Sequence, residues 1–142
     1  MVKVENFDFP DDRWYNKDHS WALPEDDGTK IRVGLDSYGQ DLAGKILFIR
    51  ARREGSSVKQ DASFASIETG KWVGPLKSPV AGKVVEVNTS LRRKPSVIND
   101  DPYGEGWIAL IEPSNWESDK ANLFQGEPWV DIVKKEMAEK KK

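Results

Sequence analysis

Ser66-Ile67-Glu68-Thr69-Gly70-Lys71-Trp72-Val73-Gly74 places a lysine beside a glycine at the point where one strand ends and its return begins. Ser63 to Ile67 reads as the incoming strand, and Gly70 supplies turn chemistry after it. A lysine on such a tip projects its four-carbon stem clear of the body, where a modifying enzyme can reach the amine or a swinging arm can be rooted. The plain alternative is a solvated surface lysine. Outward from this hairpin the same short-strand grammar repeats. Lys30 to Leu35 alternates Ile31, Val33 and Leu35 against Lys30 and Arg32. Lys45 to Ala51 and Lys83 to Asn88 are further strands, the latter with Val85 and Val87 on one face. Trp107 to Ile111 is apolar on both faces and predicts a buried strand with Trp107 in the core. Asp26-Asp27-Gly28 and Arg52-Arg53-Glu54-Gly55-Ser56-Ser57 punctuate these runs as turns. Short strands with turns between them predict a small β sandwich or barrel.

Helical signals are fewer. Asp36 to Gly44 predicts a short helix, with Asp36 capping its first free N–H groups and Gly44 ending it; Gly39 weakens its interior. Ser114 to Phe124 and Pro128 to Lys142 read as helix, and Lys140-Lys141-Lys142 suits the negative pole of the last one. Residues 1–13 read as an extended N-terminal arm pinned by Phe7 and Phe9, residues 14–124 as the main domain, and residues 125–142 as a helical tail. Ala43-Gly44-Lys45-Ile46-Leu47 and Ala81-Gly82-Lys83-Val84-Val85 share a small-Gly-Lys-apolar entry into a strand. Two β halves packed about a pseudo-twofold axis would produce such an echo.

Composition removes much of enzymology. The 142 residues include no cysteine and a single histidine, His19. Thiol nucleophiles, disulfide scaffolds, zinc ribbons and metal cages needing two imidazoles are therefore excluded. Twenty-two Lys and Arg against 24 Asp and Glu leave a net charge of −2, which provides no overall basic field for nucleic acid. Apolar runs such as Ile46-Leu47-Phe48-Ile49 and Trp107 to Ile111 are far short of the roughly 20 residues that a membrane-spanning helix needs. Met1 to Asn6 has no signal or transit character, so a cytoplasmic protein is expected.

Several segments occur in a telling order. His19-Ser20-Trp21 precedes Gly34-Leu35-Asp36-Ser37-Tyr38-Gly39-Gln40-Asp41-Leu42-Ala43-Gly44; the Lys71 hairpin follows, then Ser78-Pro79-Val80-Ala81-Gly82-Lys83-Val84-Val85. Asn99-Asp100-Asp101-Pro102-Tyr103-Gly104-Glu105-Gly106-Trp107 completes the set. Over roughly residues 14–124 the chain resembles the H protein of the glycine cleavage system. The resemblance implies a mainly β, lipoyl/biotinyl-type barrel-sandwich hybrid (the hammerhead) with short helices, and lipoate in amide linkage to the lysine of a Glu-x-x-Lys hairpin. That lysine is Lys71, and Glu68 and Gly70 stand beside it. Glu68 would hold the turn, be read by the attaching enzyme, or simply be an exposed acid. The family usually has Glu-Ser-Val-Lys-Ala here and His-Glu-Trp near the start; this chain has Thr69-Gly70, Trp72 and His19-Ser20-Trp21 at those places. The run Glu68 to Pro75 is similar to lipoate-binding proteins associated with heterodisulfide-reductase-like sulfur oxidation, which share the fold.

The expectation is a non-enzymatic lipoyl carrier that shuttles an intermediate between partners after a lipoate-attaching enzyme has loaded it. Those partners are a heterodisulfide-reductase-like complex or, as the alternative, the glycine cleavage enzymes including dihydrolipoamide dehydrogenase, with an aminomethyl group as cargo. An unmodified interaction domain of the same fold is the reading from another class. A biotin carrier lacks support, because its flanking methionines are absent: Met occurs only at positions 1 and 137. An independent enzyme has little to work with, since no Gly-x-Ser-x-Gly elbow exists and Gly104-Glu105-Gly106 lacks the rest of a dinucleotide loop. His19 reads as packed or hydrogen-bonded, or, through the resemblance, as lying close to where the arm docks. The basic runs Arg52-Arg53 and Arg92-Arg93-Lys94 read as solvated loops or as contacts for an acidic partner.

Overall fold

Alternation along Lys30–Leu35 buries Ile31, Val33 and Leu35, and this strand sits inside the largest sheet of the computed structural model, which describes residues 2–140. In chain order the strands are β1 (Val2–Val4), β2 (Phe7–Phe9), β3 (Trp14–Tyr15), β4 (Ser20–Glu25), β5 (Lys30–Leu35) and β6 (Ile46–Ala51). They continue as β7 (Ser57–Val58), β8 (Ser63–Thr69), β9 (Val73–Lys77), β10 (Gly82–Val87) and β11 (Ala109–Pro113). The helices are α1 (Ser37–Ala43), α2 (Val97–Asp100), α3 (Trp116–Lys120) and α4 (Glu127–Lys140). Six strands pair in the order β3-β4-β5-β11-β10-β7, three in the order β6-β8-β9, and β1-β2 form a separate hairpin. Every pairing is antiparallel.

One core joins the two larger sheets. Ile31, Val33 and Ile111 from one meet Ile46, Phe64 and Ile67 from the other. Burying each such side chain contributes about 1.5–3 kcal/mol. A second cluster sits on the flank, where Val4 and Phe9 of the N-terminal hairpin pack with Tyr15, Trp21, Tyr38 and the Trp129, Val133, Met137 face of α4. Tyr15 and Trp129 stack with ring centroids 5.1 Å apart.

Several expectations are corrected by this packing. The expected extended arm is a closed hairpin, because Val4 and Phe9 both have buried partners to reach. Helix over Ser114–Phe124 shrinks to α3; the chain then straightens so that Phe124 can exchange two backbone hydrogen bonds with Tyr15, each 2.9 Å. Trp107 is half-buried rather than core: the strand begins at Ala109, and the Arg32 guanidinium covers the indole at 4.3 Å. Pro128 falls in the first turn of α4, while Lys141 and Lys142 lie outside the described residues.

Gly39, a weak point in α1 by propensity, has a packing reason. A Cβ there would lie 2.7 Å from both His19 Cβ and Leu35 Cδ1, so only glycine lets α1 settle on β4 and β5. Asp36 caps α1 as expected, accepting from Gly39 N, and Gly44 ends it with a φ of +88°.

Candidate functional site

The β8–β9 hairpin carries Lys71. Along β8 the pleat turns Ile67 and Thr69 inward and leaves Ser66 and Glu68 exposed. Thr69 then builds the tip. Its N–H donates to Trp72 O at 2.8 Å, and its Oγ1 accepts from the N–H groups of Trp72 and Lys71 at 3.0 and 3.2 Å. Gly70 and Lys71 are left as the exposed tip of a turn held from below. Gly70 is not in the left-handed region, and a Cβ on it would meet nothing within 4 Å. Its place in the tip therefore imposes no demand for glycine. The Lys71 stem leans over the end of α1, where a Cβ on Gly44 would meet Cε at 3.8 Å and Nζ at 4.0 Å.

Asn99, the first residue of the Asn-x-x-Pro-Tyr-Gly-x-Gly-Trp run, fixes that neighbouring backbone. Its Oδ1 accepts from Ile46 N, and its Nδ2 lies 2.9 Å from both Gly44 O and Gln40 Oε1. Asn99→Ala strands those groups and is expected to cost about 1–3 kcal/mol, read by urea denaturation.

Apolar side chains gather at the same end of the molecule. Leu42, Leu47, Phe48, Trp72 and Val73 are the large hydrophobic residues exposed among those described. Phe48 and Val73 flank Glu68 in register on either side. A bulge at Leu47 breaks the pleat and leaves both Leu47 and Phe48 facing out. Glu68 makes no ion pair among the described residues, so its carboxylate is an exposed acid within an apolar rim.

Beside the hairpin lies a cavity of about 460 Å³, walled by Leu35, Leu42, Ala43, Ile67, Trp72 and Leu76, with His19 and Lys77 among its polar lining. The Trp72 ring folds back over Gly74, whose missing side chain makes the space: a Cβ there would lie 2.2 Å from Trp72 Cζ2. Gly74→Ala is expected to displace the exposed Trp72 ring at a cost of about 0.5 kcal/mol, and to cost less still in the Trp72→Ala background. A double-mutant cycle by chemical denaturation checks this coupling.

His19 is held away from chemistry. Its Nδ1 lies 2.9 Å from Asp36 Oδ2 and its Nε2 lies 2.7 Å from Glu136 Oε1, which ties β4, the α1 cap and α4 together. The residue is buried and has a φ of +67°, held by Asn16, whose backbone O accepts from His19 N and whose Oδ1 accepts from Ser20 N. Burial opposes the imidazolium, but the Asp36 and Glu136 carboxylates outweigh it and raise the pKa to about 10. Burial likewise pushes Asp36 up. With a carboxylate on each ring nitrogen, His19 serves as a positioning residue in the cavity wall.

The structure thus brings His19 and Trp72 to one cavity, while Lys71, Gly70 and Glu68 stand on the adjoining hairpin outside its lining. Sequence reasoning missed Glu136, because nothing local marks a surface acid on a tail helix as the partner of a histidine 117 positions earlier. Asn99 and Asp36 carried legible signals, in the motif and in the cap. The cavity walls are apolar and its mouth is beside an exposed lysine, a setting that fits a flexible, mainly aliphatic group attached there.

Comparison with known proteins identifies the lineage. The glycine cleavage H-protein family matches residues 13–136. Glycine cleavage system H protein 5 of Aquifex aeolicus is 40% identical, covering 99% of this chain and 97% of its own. A glycine cleavage system H protein of Thermus thermophilus is 37% identical over 91% of this chain and 98% of its own. A crystal structure of a glycine cleavage system H protein from Mycobacterium marinum superposes with a TM-score of 0.77 at 30% identity, covering 87% of this chain and 97% of that one. These relatives are named for glycine cleavage, and the sulfur-oxidation role expected from residues 68–75 has no support among them. Their agreement over nearly the whole chain, with the same barrel-sandwich fold, shows that it belongs to the glycine cleavage H-protein family.

Proposed function

We propose that this protein is the lipoyl carrier of a glycine cleavage system, with lipoate held in amide linkage by Lys71 Nζ. One observation carries the reading: Lys71 stands exposed on a Thr69-locked hairpin tip beside an apolar cavity, in a chain of H-protein ancestry. Lipoate, the cofactor of the family, supplies the dithiol chemistry that a chain without cysteine lacks. The chain's own residues do the positioning. Thr69 fixes the direction in which the arm leaves the body. Trp72, Leu42 and Ile67 offer an apolar wall beside it, and the exposed collar of Phe48 and Val73 presents the lysine to whichever enzyme must enclose it. Glu68, Gly70 and His19 serve the site by surface charge, by a slim tip and by cavity shape respectively.

Catalysis on this reading belongs to the partners: a lipoate-attaching enzyme and the glycine cleavage enzymes, including dihydrolipoamide dehydrogenase. Residues 14–124 form the carrier body, and the Val2–Phe9 hairpin and the Glu127–Lys140 helix brace its flank. No helix among the described residues is long and apolar enough to cross a membrane, and we place the carrier in the cytoplasm with those enzymes. The test is reconstitution: lipoylated protein mixed with the glycine cleavage enzymes is expected to support glycine-dependent turnover that the Lys71→Arg chain does not. Full lipoylation without such turnover would overturn the pathway.

A further inference from the structure

A cavity of about 700 Å³ lies away from the Lys71 hairpin. It opens between the end of β6 with its following loop and the Val87–Arg92 segment. Its floor is aliphatic, built from Ile49, Val87, Leu91 and Ile108. Its rim is Arg50, Arg52, Arg53 and Arg92, all four exposed. Among the described residues none of these guanidiniums pairs with a carboxylate, and the polar contact they make is Arg52 Nε donating to Ser63 O at 2.9 Å. Such a concentration of cations is unexpected in a chain of net charge −2.

Several of the remaining polar groups of the groove are already engaged. Asn88 Nδ2 donates to Glu105 O and Trp107 O, and its Oδ1 accepts from Ser90. The N–H groups of Arg52, Gly55 and Ser56 go to Phe64 O, Val84 O and Arg53 O. What the groove offers is a strip of aliphatic surface bordered by planar forks that match carboxylates.

We propose that this groove docks an acidic, amphipathic segment of a partner protein, with its apolar side chains on the aliphatic floor and its Asp and Glu carboxylates on the arginine rim. The placement suits a carrier. Arg50 stands opposite Ser66 in register, so about 10 Å of strand, at roughly 3.3 Å per residue, separates it from Thr69 at the tip. A partner seated here adjoins the Phe48 and Val73 collar at its Arg50 edge, while Lys71 is not among the residues that line the groove.

The test uses the ¹⁵N-labelled full chain titrated with a synthetic peptide carrying Leu on one helical face and Glu beside it. Amides of residues 49–53 and 87–92 are expected to shift, with binding weakened by added salt and reduced about tenfold or more in the Arg53→Glu/Arg92→Glu variant. Both substituted side chains are exposed, so an unchanged spectrum elsewhere verifies the fold. The Lys71→Arg chain is expected to titrate identically, which separates this proposal from the lipoyl reading. Absence of groove shifts, equal binding by the double variant, or the same shifts with inorganic phosphate alone would each overturn it. So would self-association at the groove that the peptide does not displace, since the occupant would then be a second copy.

Discussion

Lys71→Arg is expected to eliminate the lipoyl addition completely, leaving a chain whose intact mass is that of the bare sequence. Arginine keeps the positive charge and much of the stem, so the fold has no reason to respond. Lys71 is exposed, and Thr69 rather than Lys71 supplies the hydrogen bonds of the turn. Stability should change by no more than about 0.5 kcal/mol, as for other surface substitutions. Activity in the reconstituted system should fall to background, because no second lysine stands on this tip. An unmodified wild-type chain purified from its native host would remove the carrier reading altogether. Persistence of one lipoyl group in the variant would move the attachment to another lysine.

The second large effect is on stability. His19→Ala leaves Asp36 fully buried without its imidazolium and deprives Glu136 of its anchor. Breaking a buried pair by removing one member typically costs about 3–5 kcal/mol, and that loss is expected in urea denaturation of the variant. Hydrogen exchange should rise along α4, since the Glu136 contact ties that helix to the body. The pH dependence has a definite sign. His19 has a folded pKa of about 10 against about 6.5 in an unfolded chain, so the folded state holds the extra proton. Its contribution is complete below about pH 6.5 and is lost as the pH rises through about 10. Wild-type stability should therefore decline across that alkaline interval while His19→Ala loses most of the slope. A wild-type profile flat over the same interval would contradict an imidazolium shared between the two carboxylates.

The Lys71 hairpin was legible because both its signals are local. Alternation in β8 and turn residues after it place Lys71 on a tip without reference to the rest of the chain. The absence of cysteine likewise determined that any dithiol must be imported. Local information failed where a residue's role is set by something distant. Gly39 reads as a flaw in α1 until His19 and Leu35 are seen against it, and Gly74 is ordinary until Trp72 folds over it. Trp107 reads as core by hydrophobicity, yet its strand starts two residues later and Arg32 covers the ring.

By itself, then, the sequence determined the β-rich architecture, the exposed lysine and the cap of α1, since each follows from patterns a few residues long. Only the tertiary structure decided that His19 is locked between two carboxylates, that Trp72 walls a cavity, and that four arginines share one groove. Those outcomes depend on contacts between residues far apart in the chain, whose positions are fixed by the packing of two sheets and a tail helix rather than by any local preference.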